Sequence, residues 1–251
     1  MTHVASAANP LVKELRKLSQ DSTAYRKQGR IWLEGDHLCR AALARGHQPA
    51  IAVFSESFWP VAPVKWAHAA IKTIVMSDLL MTQISSLESP ANMAFVLDLP
   101  APPGLLTNVA SVILDRVQDA GNVGSILRSA AAFGFGQIIA LKGTAALWSP
   151  KVLRAGMGAH FALRLAEGVD AAALDQLEVP IIVTSSHHGS LLLQQKLPMP
   201  CAWAMGHEGQ GISNDLMAKA SLSVRIAQPG GEESLNVAAA AAICLYASTL
   251  P

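Results

Sequence analysis

The chain has 251 residues, 51% of them hydrophobic and 15% charged, with a formal net charge of +1. That length suffices for one large domain or two smaller ones, and the apolar content excludes a disordered chain. No apolar run reaches the roughly 18 residues of a membrane span, and the start, MTHVASAANP, lacks the charged-then-apolar order of a signal peptide, so a cytoplasmic protein is expected. Cys39, Cys201 and Cys244 lie far apart in apolar or helical contexts, which suits buried thiols in a reducing compartment better than a disulfide or a metal site. The histidines show no ligand spacing, and His187-His188, set among Gly and Ser, read as loop; no metal is expected. The small net charge hides a local imbalance. Between Leu11 and Arg30 six cations (Lys13, Arg16, Lys17, Arg26, Lys27, Arg30) face two acids (Glu14, Asp21), a net +4 that leaves −3 for the remainder. On charge alone this segment reads equally as a polyanion contact and as a solvated helix face.

In chain order, Asn9-Pro10 is a helix opening, with Leu11, Leu15 and Leu18 on one face and Lys13, Arg16 and Lys17 on the rest. Ile31–Glu34 reads as a strand, followed by Gly35-Asp36 and a helix through Ala41–Arg45. Ile51–Phe54, Ile71–Met76 and Ala94–Leu99 are further strands, with helices around Val64–Ala70 and Ser77–Ser86. This alternation predicts a small α/β domain over residues 1–99. Pro100-Ala101-Pro102-Pro103-Gly104 continues neither sheet nor helix, so residues 100–106 are assigned to a linker and 107–251 to a second domain.

The second half opens on an apolar strand, Ala110–Leu114, ending in Asp115. Asp119–Gly124 reads as a turn and Ser125–Ala132 as a helix closed by Gly134. Ile138–Leu141 is the next strand, and Ser149-Pro150 caps a helix, Lys151–Ala155, whose apolar side continues through Leu153, Met157 and Phe161. Trp148, beside this turn, reads as core or rim. Pro180–Thr184, Ala202–Met205 and Leu222–Ile226 are buried-type strands. Apolar runs separated by helices predict a parallel sheet covered on both faces, whose ligands bind beyond the strands' C-terminal ends. Three glycine-bearing polar turns fall there: Asn122-Val123-Gly124 leading to Arg128, Gly206–Gly211, and Pro229-Gly230-Gly231 through Asn236. Ser234 and Asn236 stand at the mouth of an alanine-rich helix without a polar face, which predicts that the helix is buried.

The middle turn, Gly206-His207-Glu208-Gly209-Gln210-Gly211, matches neither G-x-G-x-x-G nor a phosphate loop with its Lys, which disfavours a nucleotide- or NAD-dependent enzyme. A carboxylate among glycines needs a partner, and Arg128 is the expected one for Glu208. Together the three motifs resemble those of the SpoU/TrmH-type RNA ribose methyltransferases of the SPOUT superfamily. Asn122–Arg128 is similar to the first motif, Gly206–Ile212 to the second, and Ile226–Gly230 with Ser234–Val237 to the third. Ser149–Arg154 also has the family's look, and Asn9–Lys13 with Leu33-Glu34-Gly35 is similar to the substrate-binding domain appended in many members.

The resemblance implies a C-terminal catalytic domain with a deep trefoil knot, a homodimer, and S-adenosylmethionine as donor to a ribose 2′-hydroxyl of RNA. Carried over by motif position, Gly206, Ile226, Leu235 and Thr184 would hold the cofactor. Arg128 would be the main catalytic residue, with Asn122, Glu208, Ser234 and Asn236 organising it and the ribose. Because arginine stays protonated in ordinary proteins, binding phosphate and stabilising the developing alkoxide is preferred to the alternative, proton removal assisted by the RNA phosphate. The six cations of the N-terminal segment become expected RNA contacts. Ala120, where proline is frequent, and His207, at a variable position, are small departures. Ribosomal RNA is the expected substrate, with transfer RNA, or an RNA-binding member without catalysis, as alternatives.

Overall fold

The computed structural model describes residues 1–185, 189–230 and 234–250, so His187, His188 and Gly231, read above as loop and turn, lie outside the described residues. Contacts gather into two compact units, Met1–Ala101 with Trp148–Phe161, and Pro102–Leu147 with Ala162–Pro251. The run 107–251 thus lends Trp148–Phe161 to the packing of the first unit.

In the first unit, β1 (Thr2–Val4) precedes α1 (Pro10–Gln20), which starts where Asn9 Oδ1 accepts the Leu11 N–H at 2.9 Å. Val12, Leu15 and Leu18 bury its inner face, while Leu11 is only half-buried. There follow α2 (Ala24–Gln28), β2 (Arg30–Glu34), α3 (Asp36–Ala44), β3 (Ile51–Ser55), α4 (Val64–Ala67), β4 (Lys72–Met76), α5 (Asp78–Ile84) and β5 (Met93–Asp98). Among the described residues these strands form one sheet in the order β1-β4-β3-β5-β2, antiparallel on both sides of β5 and otherwise parallel. Ile31, Leu33, Phe54 and Phe95 form its core together with Leu153, and Trp148 and Phe161 pack at the edge.

In the second unit β6 (Ser111–Asp115), α6 (Ala120–Ala132) and β7 (Gln137–Leu141) come first; α7 (Pro150–Gly156) is the helix that packs in the first unit. The second unit resumes with β8 (Arg164–Val169), β9 (Ile181–Thr184), β10 (Ser190–Leu191), β11 (Ala202–Gly206), α8 (Asn214–Ala218), β12 (Leu222–Arg225) and α9 (Val237–Ala247). The described strands form a wholly parallel sheet, β10-β12-β9-β11-β6-β7-β8. β6 and β7 are buried along their whole length, as a sheet covered on both faces requires.

The structure departs from the sequence reading at several places. Asn122-Val123-Gly124 is not a turn but the first turn of α6, because Asp119 Oδ1 accepts the Asn122 N–H at 2.8 Å and caps the helix five residues before the expected start at Ser125. Met157 does not continue an apolar helix face: it ends α7 in a left-handed conformation, φ +49, with 43% of its surface exposed. Ile226 falls just beyond β12. Finally, α9 is buried only through Ala241, Cys244 and Leu245; Ala239, Ile243 and Tyr246 are exposed, one stripe at helical spacing.

Candidate active site

β6, β9, β11 and β12 end on one side of the second sheet, and the motif residues leave from those ends. After β11 the chain folds back on itself. The His207 N–H donates to Gly211 O at 3.0 Å and the Gly211 N–H to His207 O at 2.8 Å, while His207 Nδ1 accepts from the N–H groups of Gly209 and Gln210 at 3.0 and 3.2 Å. Position 206 must be glycine for this turn to close, since a Cβ there would stand 2.4 Å from the Gly211 carbonyl carbon.

The loop presents Glu208 to the N-terminus of α6. Its carboxylate accepts from the Gln118 N–H at 3.2 Å, the Asp119 N–H at 3.1 Å and Asn122 Nδ2 at 3.0 Å. Partial burial pushes the Glu208 carboxyl up, but the Asn122 side chain and the backbone N–H groups outweigh it and hold the group below the usual carboxylate range. The expected Arg128 partnership is therefore corrected. The carboxylate takes the N–H groups of Asp119, the N-cap of α6, and of Gln118 before it, and Arg128 comes about two turns later on an exposed stripe with Gly121, Ser125 and Ala132.

Asn122 carries the contact onward. Its Oδ1 accepts from Asn236 Nδ2 at 2.9 Å, and Asn236 Oδ1 in turn caps α9 by accepting the N–H groups of Ala238 and Ala239 at 2.9 and 3.2 Å. Glu208, Asn122 and Asn236, one from each motif, thus form one hydrogen-bonded chain. Beside it lies a cavity of about 560 Å³, within the range of small-molecule sites. Thr184, Gly206, Ile226 and Leu235 all line it, as do Glu208, Ser234 and Asn236. Neither Asn122 nor Arg128 lines it, but Asn122 is hydrogen-bonded to Glu208 and Asn236, which do.

Gln228 also lines the cavity, and its Oε1 is buried there without a hydrogen-bond partner. The sequence reading passed over it, and over the backbone donors of Gln118 and Asp119. The spacing Asp119-x-x-Asn122, a helix-capping signal, was the available clue to the latter.

In the first unit Lys13, Lys17, Arg26 and Lys27 are exposed. Arg16, Arg26 and Arg30 are also tied within the unit, Arg16 Nη2 donating to Gln83 Oε1, Arg26 Nε to the Tyr25 hydroxyl and Arg30 Nη1 to Glu14 Oε1, each at 3.0 Å. Among the described residues no group of three or more His, Cys, Asp and Glu could hold a metal ion, and no helix is long and apolar enough to cross a membrane.

Residues 110–246 match the pattern of the SpoU rRNA Methylase family. The chain belongs to that family. Residues 9–94 of this SpoU family member match the MRM3-like substrate binding domain. The chain is 30% identical to the 23S rRNA (guanosine(2553)-2'-O)-methyltransferase RlmP of Bacillus subtilis over 98% of both proteins. It is 31% identical to an uncharacterized tRNA/rRNA methyltransferase of Synechocystis, covering 97% of this chain and 92% of that one. Among solved structures, this SpoU chain superposes with a TM-score of 0.85 on an AdoMet-bound rRNA methyltransferase from Sinorhizobium meliloti, at 26% identity over 98% and 96% of the two chains. A TrmH-family RNA methyltransferase from Porphyromonas gingivalis gives 0.82 at 29% identity over 94% and 96%.

Proposed function

We propose that this protein transfers a methyl group from S-adenosylmethionine to a ribose 2′-hydroxyl of ribosomal RNA. The observation that carries this reading is the Glu208–Asn122–Asn236 chain, which fastens all three motifs around one cavity. The cavity suits the cofactor: its volume fits a nucleoside-sized ligand, and the unpartnered Gln228 Oε1 offers an acceptor. Thr184, Gly206, Ile226 and Leu235 would hold it. When bound, the sulfonium supplies an electrophilic methyl group, so the protein's tasks are orientation and management of the hydroxyl proton.

The residues divide those tasks. A carboxylate held ionised by several donors is a weak proton acceptor, so Glu208 organises the α6 and α9 N-termini rather than serving as base. Ser234 and Asn236 stand at the cavity wall where a ribose could be oriented. Arg128, a guanidinium on an exposed stripe of α6, binds RNA phosphate and stabilises charge developing on the attacking oxygen. The exposed Lys13, Lys17 and Lys27 contact RNA backbone from the first unit, with Arg16, Arg26 and Arg30 contributing only what their internal partners leave. The names of the similar proteins favour ribosomal over transfer RNA. A cytoplasmic homodimer, with the C-terminal segment passed through a trefoil knot, completes the reading; the exposed apolar stripe of α9 and the likeness to SpoU-type structures support it.

Mapping 2′-O-methyl groups in total RNA with and without the protein tests the substrate. A lost site in ribosomal RNA is expected, and a lost site confined to transfer RNA would replace that substrate. Arg128→Ala should abolish transfer while cofactor affinity, measured by calorimetry, stays near wild type. Near-wild-type methylation by that variant would remove Arg128 from the chemistry.

A further inference from the structure

Arg116 directly follows β6 with φ +61, a left-handed backbone that a long side chain adopts only at some cost. The conformation is held by its surroundings. The Arg116 N–H donates to Thr144 Oγ1 at 3.1 Å, and that hydroxyl donates to Leu114 O at 2.9 Å. Gly143, at φ +90, lies against the side chain, and a Cβ there would come within 3.1 Å of Arg116 Cγ. So placed, the guanidinium bridges two groups: Nε donates to Asp115 Oδ1 at 3.1 Å and Nη1 to Gln210 Oε1 at 2.9 Å.

Those contacts bear on one loop. Asp115, almost fully buried, accepts the Ser213 N–H on its other oxygen at 2.6 Å. The segment from Gly206 to Ser213 is therefore fastened to the end of β6 twice, by Asp115 at its far end and by Arg116 through Gln210 near its tip. Residues of this segment from Gly206 through Gln210 to Ile212 wall the cavity. With the Arg116 side chain 32% exposed against 3% for Asp115, the charge of their ion pair is partly screened by solvent. Its geometry matters more, because a fixed fork can hold Asp115 and Gln210 at once where a point charge cannot.

We propose that Arg116 is a positioning residue that latches the Gly206–Gly211 loop, through Gln210, in the shape that receives the cofactor. The proposal rests on the reading of the cavity as the S-adenosylmethionine site. It is tested on the full chain with S-adenosylhomocysteine, whose lack of net charge keeps a charge change at position 210 from confounding affinity. Gln210→Ala and Arg116→Lys should each weaken binding about ten-fold, the scale of one charge-assisted hydrogen bond. The double variant should be no weaker than either single one, since both break the same latch. Gln210→Glu keeps the acceptor and should bind within about two-fold of wild type.

Amide exchange in the ligand-free protein should quicken at Gly209, Gln210 and Gly211 in Gln210→Ala, while its thermal midpoint stays at the wild-type value. Affinity within about two-fold of wild type in Gln210→Ala would overturn the latch, as would single effects that multiply in the double variant. If the wild type failed to bind S-adenosylhomocysteine, the cofactor reading would fall, and amide exchange alone would still decide the latch.

Discussion

Glu208 is a carboxylate whose ionised form the fold selects. The sign of its pH dependence follows from that. Its folded-state pKa lies below the unfolded value, so its contribution is present above the ordinary carboxylate range and disappears as pH falls through the lowered value. Glu208→Gln should therefore be less stable than wild type at pH 7, and the gap should close as both are acidified below about pH 4. Denaturant unfolding of both proteins at neutral and acid pH measures this, and a gap independent of pH would rule it out. The sequence did mark Glu208 as a residue in need of a partner. It pointed to Arg128 because side chains are all a sequence displays, whereas the partners include the backbone N–H groups of Gln118 and Asp119, which the fold brings to it just ahead of α6. The thiols were easier to read. Burial pushes Cys201 and Cys244 up to about 12 and Cys39 further still. An alkylating reagent should accordingly label the native protein slowly and the unfolded protein at all three cysteines.

Among elements, α6 shows where pattern reading stops. Gly121, Asn122 and Gly124 all look like helix breakers, so the expected start was Ser125. Capping by Asp119 overrides those propensities, and the glycine at 124 is buried in close packing. Asp119→Ala should cost about 1 kcal/mol of stability, the usual value for a lost N-cap, and should also weaken the hold on Glu208 by loosening the first turn. Urea unfolding at neutral pH checks the first effect, and an unchanged midpoint would show that the cap contributes nothing. Strands followed the same logic. β6, β7, β9 and β11 are buried apolar runs and were legible within a residue or two. β8, an edge strand of sequence RLAEGV, was not, because Arg164, Glu167 and Gly168 break its apolar run.

At the scale of the whole molecule, alternation of strands and helices sufficed for the fold class, and the order of three motifs sufficed for the family. Strand order was not legible, because it depends on pairings between segments far apart in the chain, such as β11 between β6 and β9. The alanine-rich α9 was read as buried from its lack of a polar face. In the single chain Ile243 is 40% exposed and Tyr246 53%, large groups at helical spacing on one face of α9, and Leu250, beyond the helix end, is 48% exposed. An apolar row of that kind is characteristic of an interaction surface. The homodimer inferred above gives it an occupant, a second copy of the same chain, and a two-fold axis would place the same stripe on both sides of the contact. Sedimentation should then give twice the chain mass of 26.4 kDa for the wild type. Lysine at both Ile243 and Tyr246 should give the chain mass instead, with the unfolding midpoint becoming independent of protein concentration. A wild-type protein that sediments at the mass of one chain would leave the stripe without its proposed partner.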